Sequence, residues 1–153
     1  MLRRPLDDID RAILHELSAD ARQPNNALAE RVGIAPSTCL MRVRTLRDTG
    51  VIRGFHADVE PRALGRDLQA MIAVRLAGHA RGSMGPFVTR IGRLPEVLDV
   101  YFVAGVNDYL LHVAVGSTAD LRDFVAEHLN QDPDVAATET NLIFEHTRAA
   151  GRR

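Results

Sequence analysis

The sequence predicts an α+β fold with two domains: an N-terminal winged helix-turn-helix over residues 1–59 and a C-terminal ferredoxin-like βαββαβ sandwich over residues 67–153. Three observations indicate this arrangement. Apolar residues recur at helical spacing in the first third of the chain, and they form strand-like runs in the remainder. A short segment over residues 60–66, which contains Pro61 and Gly65, separates the two patterns and is predicted to be the linker.

The first two helices are predicted from spacing and from their end signals. The first ends near Asp20, because large aliphatic residues recur every four positions on one face as far as Leu17. The second is shorter. Asn25 or Asn26 is expected to cap its N-terminus, and Gly33 suits the left-handed backbone that ends many helices.

The third helix starts at Pro36, which is tolerated at the first helical position, and runs towards Gly50. At 100° per residue, its predicted core face consists of Cys39, Leu40, Val43 and Leu46. The remaining arc is rich in hydroxyl and arginine side chains and consists of Ser37, Thr38, Met41, Arg42, Arg44 and Thr45. Such side chains donate hydrogen bonds to phosphates and base edges, so this arc is predicted to bind double-stranded DNA as a recognition helix.

The pattern leaves alternatives open for this helix. A plain helical hairpin with a solvated arginine face has the same spacing of residues. Met41 is unusual on a surface that faces DNA. We expect its side chain either to touch a thymine methyl group or to pack sideways against a neighbouring helix.

The segment after the third helix is predicted to be a strand. Residues 51–59 alternate in part between apolar and polar types, and Gly50 and Pro61 bound them. We expect this strand to form the wing and to lead into the linker.

Six elements are predicted in the second domain. The strands cover residues 68–76, 97–104, 109–115 and 138–146, and the first helix covers residues 86–94. The second helix is capped by Thr118, and its apolar stripe consists of Leu121, Phe124, Val125 and Leu129. This order gives a four-stranded antiparallel sheet with two helices on one face. Because apolar residues alternate onto both faces of the strands, we expect a second subunit to cover the other face.

Composition and charge narrow the class of protein. All 19 basic residues are arginine. The chain up to and including Arg66 contains 11 arginines and 9 acidic residues, and the remainder contains 8 arginines and 11 acidic residues. This basic excess is too small to indicate nucleic acid by itself. The single cysteine, Cys39, excludes an internal disulfide and fits a reducing compartment. No signal-like start or long apolar run occurs, which predicts a cytoplasmic protein outside the membrane.

No motif indicates catalysis or a bound metal. The six histidines are scattered without metal-ligand spacing, so neither a metal site nor a cofactor is predicted. The sequence also contains no glycine-rich phosphate loop and no local nucleophile signature. We therefore predict that the protein is not an enzyme.

Essentially the whole chain resembles the Lrp/AsnC, or feast/famine, family of transcriptional regulators. Residues 6–14 (LDDIDRAIL) resemble the family's opening helix, and residues 28–46 resemble its helix-turn-helix nearly position by position. Residues 50–55 (GVIRGF) are similar to its exit strand. Residues 103–111 (VAGVNDYLL) are similar to its strand-turn-strand around a Gly-acidic-x-Asp-Tyr signature.

The resemblance implies a homodimer that assembles further, commonly to an octamer, and an amino-acid effector bound between subunits near this turn. The predicted effector site consists of Gly105, Val106, Asn107, Asp108 and Tyr109. Gly105 permits a backbone conformation with outward amide groups that suit a carboxylate, and Asp108 offers an anion for an ammonium group. The alternative for Asp108 is a structural Asx turn.

Two residues depart from the family pattern. Ala35 stands where the family often has serine, so the recognition helix is expected to lack a side-chain cap. Val106 stands where the family usually has an acid, which removes an anion from the turn. We therefore expect leucine-like, branched or aromatic amino acids to bind better than arginine or lysine.

The predicted function is sequence-specific DNA binding by a transcription regulator that responds to a small effector. Three other classes of protein are alternatives. An enzyme on the same fold is disfavoured because no catalytic cluster occurs, and an RNA-binding sheet is disfavoured because residues 100–103 lack adjacent basic residues. An architectural DNA-binding protein without an effector is the main alternative, and effector-dependent DNA affinity distinguishes the two.

Overall fold

The computed structural model describes residues 5–80 and 84–147. Its backbone separates into two compact units, of which the first extends to Asp58 and the second spans Val59–His146. Each unit has its own apolar core.

The first unit is a bundle of three helices: α1 (Asp8–Ala19), α2 (Asn25–Arg31) and α3 (Pro36–Asp48). Its core contains Ile13, Leu28, Ala29, Cys39 and Leu46. Gly33 ends α2 with φ of 71°, the left-handed conformation that glycine adopts without a steric penalty. Burial of one face of each helix therefore fixes the helix-turn-helix that the spacing predicts.

The helix N-termini differ in how they are capped. Asp7 caps α1, where its carboxylate accepts a hydrogen bond from Asp10 N–H at 2.8 Å. The expectation that Asn25 or Asn26 caps α2 is wrong, because Pro24 occupies the N-cap position and Asn25 Nδ2 donates to the Pro36 carbonyl at 2.9 Å. Asn25 thus ties the start of α2 to the start of α3.

The predicted strand over residues 51–59 is wrong. This segment has no regular secondary structure, and its residues from Arg53 onwards are exposed. A strand needs a neighbour that pairs with its backbone amide and carbonyl groups, and the described part of the first unit contains no strand. Partial alternation of side chains does not replace that partner.

The second unit starts with a 3-10 turn (Pro61–Leu64) and then follows the predicted order. Its elements are β1 (Leu68–Leu76), α4 (Met84–Ile91), β2 (Val97–Phe102), β3 (Tyr109–Val115), α5 (Thr118–Val125), a π-helical turn (Ala126–Asn130) that continues α5, and β4 (Val135–Ile143). The sheet order is β2-β3-β1-β4, with antiparallel pairing throughout. The ferredoxin-like prediction is confirmed.

Element ends in this unit differ from prediction by a few residues. Strand β4 begins and ends three residues earlier than predicted, and β2 ends at Phe102. Ser117 caps α5 in place of Thr118, because its side chain accepts a hydrogen bond from Asp120 N–H at 3.2 Å.

The two faces of the sheet differ in composition. Alternate residues of β1 and β3 are buried in the core, namely Ala70, Ile72, Val74, Leu76, Tyr109, Leu111, Val113 and Val115. By strand register, the opposite face carries Met71, Ala73, Leu110 and Ala114 beside the polar Gln69 and His112. His112 Nε2 lies 2.9 Å from Gln69 Oε1. The face that we call the open face is therefore mixed in polarity, where the sequence predicts an apolar one, and two of its small residues, Ala73 and Ala114, are already buried within the chain.

Candidate DNA-binding surface and effector turn

The exposed arc of α3 presents most of the predicted DNA-binding side chains. Ser37, Met41, Arg44 and Thr45 are exposed, and Thr38 is half-buried. Met41 has 62% of its surface exposed, so most of its side chain faces solvent in this unit. Thr45 Oγ1 donates to the Met41 carbonyl at 3.0 Å, and the same oxygen can still accept a hydrogen bond.

Two further residues extend this arc. Leu40 was predicted to lie on the core face, yet 58% of its surface is exposed. The core face is centred between Cys39 and Leu46, and Leu40 lies 100° from Cys39 around the helix. Arg47 lies on the same side as Leu40, with its guanidinium carbon 6.0 Å from the centre of the Phe55 ring. Sequence reasoning missed both residues, although helical geometry alone was sufficient to find them.

Arg42 differs from the rest of the predicted set. Its Nη1 lies 2.7 Å from an Asp7 carboxylate oxygen and 2.7 Å from Asp10 Oδ1. These carboxylates raise the pKa of Arg42 further above its ordinary value. The guanidinium is thus held against the start of α1, and the geometry does not support its assignment as a DNA contact.

The predicted effector site over residues 105–109 includes the turn that connects β2 to β3. We call this turn the effector turn after that prediction, and its tip is exposed. Gly105 has φ of 135°, a conformation that strains any residue with a Cβ atom, although the space beside it is open. Val106 follows with 77% of its surface exposed. Asn107 and Asp108 are half-buried below the tip. The tip therefore combines accessible backbone groups with one apolar side chain.

Asp108 anchors the turn to β1. Its Oδ2 accepts a hydrogen bond from Leu76 N–H at 2.8 Å, and its own N–H donates to the Val74 carbonyl at 2.9 Å. The Asp108 carbonyl accepts from Val103 N–H at 3.0 Å, which closes the hairpin. These bonds give Asp108 a structural role, whatever its part in ligand binding.

Tyr109 is the one predicted effector residue whose side chain lies in the core. Only 2% of its surface is exposed, and its ring centre lies 5.3 Å from that of Phe87 and 5.5 Å from that of Phe102. Burial, with the nearby charge of Asp108, raises the pKa of its hydroxyl. Tyr109 therefore supports the turn from below, and direct contact with an effector is not supported by this geometry.

The comparisons with known protein families cover both domains. The AsnC-type helix-turn-helix domain matches residues 6–47, and the Lrp/AsnC ligand binding domain matches residues 69–151. The chain belongs to the Lrp/AsnC family. As an Lrp/AsnC member it is a DNA-binding transcriptional regulator with a ligand-binding domain. Within the described residues, no helix has the length and apolar character needed to cross a membrane.

Individual relatives match almost the whole chain. The HTH-type transcriptional regulator AldR of Mycolicibacterium smegmatis is 60% identical over 96% of this chain and 86% of its own length. The leucine-responsive regulatory protein of Rhizobium meliloti is 39% identical over 98% of this chain and 96% of its own. A Neisseria meningitidis transcriptional regulator, solved with L-Met, is 31% identical with a TM-score of 0.82, covering 95% of this chain and 94% of that one. These relatives are named as regulators, which confirms the prediction of a non-enzyme.

Proposed function

We propose that this Lrp/AsnC protein binds a specific DNA sequence through α3 and that an apolar amino acid, bound at the turn over residues 105–108, changes its affinity for DNA. The observation that carries the DNA part is the exposed arc of α3. It combines two arginines, Arg44 and Arg47, with hydroxyl groups and two exposed apolar side chains, Leu40 and Met41. Arginine donates hydrogen bonds to phosphate oxygens or to guanine, and apolar side chains contact thymine methyl groups.

The exposed valine supports an apolar effector. Val106 adds apolar surface at a tip whose neighbouring Gly105 exposes backbone groups suited to a carboxylate. The neisserial relative was solved with L-Met, an amino acid with an apolar side chain. We therefore assign leucine-like, branched or aromatic amino acids as the effector class and place arginine and lysine outside it.

The open face of the sheet supports an oligomer. Met71, Leu110 and Tyr101 lie on this face by register, and 47% of the Tyr101 surface is exposed. Covering such a face stabilises a dimer, and further association at the turn would give a larger assembly such as an octamer. Because its target is chromosomal DNA, we assign the protein to the cytoplasm.

The test of the effector assignment is calorimetric titration of the full chain with leucine, phenylalanine, methionine, lysine and arginine. We expect the apolar amino acids to bind and the two basic ones to bind at least about tenfold more weakly, a difference of ~1.4 kcal/mol. Val106→Glu restores an anion at the tip and should narrow or reverse this preference, whereas Val106→Leu should keep it. Tighter binding of lysine or arginine to the wild type would contradict the assignment.

A further inference from the structure

Arg42 joins the middle of α3 to the start of α1. Its Nη1 lies 2.9 Å from Asp7 Oδ1, 2.7 Å from Asp7 Oδ2 and 2.7 Å from Asp10 Oδ1. One nitrogen atom of Arg42 thereby binds two carboxylates that lie 35 and 32 positions earlier in the sequence. The Arg42 side chain is 22% exposed and that of Asp10 is 7% exposed, so the contact with Asp10 is shielded more than an ordinary surface ion pair, whereas the contact with Asp7 lies at the surface.

Both carboxylates are held in place before they meet Arg42. Asp7 Oδ1 accepts a hydrogen bond from Asp10 N–H at 2.8 Å, and Asp10 Oδ2 accepts from Asp7 N–H at 3.4 Å. This reciprocal capping box fixes their positions at the first turn of α1. Asp10 is also the one charged residue in the described part of the chain that is classed as buried, with 5% of its surface exposed. Arg42 therefore binds a rigid acceptor pair.

The helices are not closely packed at this point. A cleft of about 290 Å³ lies between the start of α1 and the exposed side of α3, and Leu6, Met41 and Thr45 contribute to its walls. Asp10 and Arg42 also line this cleft. Since side-chain packing does not fill the gap, the ion pair bridges it and fixes the spacing between the two helices on this side of the domain.

The neighbours of Arg42 are the side chains assigned to DNA. Met41 precedes it on the exposed arc, and Arg44 lies two residues later, about 200° around the helix, so it points away from the ion pair. A rotation of α3 about its own axis would move the whole arc relative to the rest of the domain. The contact that restrains such a rotation thus bears directly on recognition.

We propose that Arg42 is a positioning residue: through Asp7 and Asp10 it sets the orientation in which α3 presents its exposed arc to DNA. This inference rests on the proposed role of α3 as the recognition helix. It assigns Arg42 no contact with DNA. A misoriented helix keeps its charged groups but loses the alignment that base readout requires, so specificity suffers more than non-specific affinity.

The experiment compares Arg42→Met with Arg44→Met in the full chain by fluorescence anisotropy. The probes are a duplex from the DNA that flanks the protein's own gene, used as the operator, and a scrambled duplex of the same composition, each across a series of salt concentrations. The temperature is kept well below the unfolding transition of each variant, which is checked by circular dichroism. We expect Arg42→Met to lower specific affinity about tenfold. We also expect the slope of log binding constant against log salt concentration, which we call the salt slope, to be unchanged and the preference for the operator over the scrambled duplex to fall. Arg42→Lys should restore most of the specific affinity.

Arg44→Met is the matched control. It removes the same charge from the exposed arc, and we expect it to flatten the salt dependence by about one unit. If Arg44→Met leaves both affinity and slope intact, the assignment of the recognition surface fails. Arg42 is judged separately: a slope flattened by one unit in Arg42→Met would show a direct phosphate contact, and wild-type affinity and specificity would show a merely structural role. Either result overturns the proposal.

A second variant covers the case in which Arg42→Met does not fold. Asp10→Asn keeps the size of the side chain but removes one of the two charges that Arg42 binds. The proposal predicts the same combination, namely weaker specific binding with an unchanged salt slope. Unaltered operator preference in folded Asp10→Asn would contradict it.

Discussion

The carboxylate of Asp108 accepts a hydrogen bond from the backbone N–H of Leu76 at 2.8 Å, so the effector turn is fixed to β1 by a side chain from its own base. Removing the carboxylate leaves a half-buried amide without this acceptor. We expect Asp108→Ala to lower the free energy of unfolding of the C-terminal domain by about 1–3 kcal/mol. Chemical denaturation followed by circular dichroism measures the change.

Asp108→Asn separates this structural role from a role in binding an ammonium group. The amide oxygen of asparagine still accepts from Leu76 N–H, but the negative charge is absent. We expect this variant to keep most of the wild-type stability and to bind leucine at least about tenfold more weakly, if the charge holds the effector's ammonium group. Equal leucine affinity in Asp108→Asn and wild type would limit Asp108 to its structural role.

The uncapped start of α3 offers a stabilising substitution. Ala35 is the N-cap residue, with the extended backbone typical of that position, and makes no side-chain cap bond. We expect Ala35→Ser to raise the free energy of unfolding of the N-terminal domain by about 1 kcal/mol, because the hydroxyl can accept from a free N–H in the first turn. Ala21→Ser, at an exposed position outside the helices, serves as the control and should change stability by less than about 0.5 kcal/mol.

The open face of the sheet predicts the oligomeric state. Met71 lies on this face in the central strand β1, opposite His112 in the register. Met71→Glu places an unpaired carboxylate where a second subunit is expected, so it should shift the protein towards a monomer. Gln131→Glu adds the same charge at an exposed position after the π-helical turn and should leave the assembly unchanged. Sedimentation velocity distinguishes these outcomes.

The C-terminal unit alone provides an independent check on the same interface. A fragment that begins at Val59 contains the complete sheet and both of its helices. We expect it to be dimeric or larger at micromolar concentration. A well-folded monomer would contradict the assignment of the open face as an interface.

The buried thiol of Cys39 predicts a pH dependence. Burial raises its pKa above the ordinary value of 9.0, so the folded state keeps the neutral thiol while the unfolded chain ionises first. The stability contribution is complete below pH 9.0 and is lost as the pH rises through the folded-state pKa. The stability difference between wild type and Cys39→Ala in urea should therefore shrink from pH 8 towards pH 10. A constant difference across this range would show that the thiol is not protected.

The elements that the sequence predicted correctly are those with local causes. Periodic apolar residues and end signals such as Gly33 predict the bounds of α1 to α3 to within a few residues of the observed ones. The role of Arg42 depends on carboxylates 32 and 35 residues away, and side-chain type alone does not reveal such a contact. The burial of Tyr109 could be predicted from the sequence, because side chains alternate between the two faces of a strand and Tyr109 therefore lies on the same core face as Leu111 and Val113.

The error over residues 51–59 has a different cause. Alternation of apolar and polar side chains indicates that a segment can form a strand. The strand forms only where a neighbouring strand pairs with its backbone amide and carbonyl groups. The described part of the first unit contains no such strand. At the predicted effector turn, the sequence predicts the hairpin connection between the two strands, whereas the hydrogen bond between Leu76 and Asp108 is evident only from the structure.

The central claim is that an apolar amino acid changes the affinity of this regulator for DNA. The most direct test measures binding of the full chain to the DNA that flanks its own gene by fluorescence anisotropy, without effector and with saturating leucine, phenylalanine or methionine. We expect at least one of them to change the dissociation constant by about 5-fold or more. Lysine should have no effect. Tight DNA binding that is identical under every condition would contradict the claim and would favour an architectural protein that works without an effector.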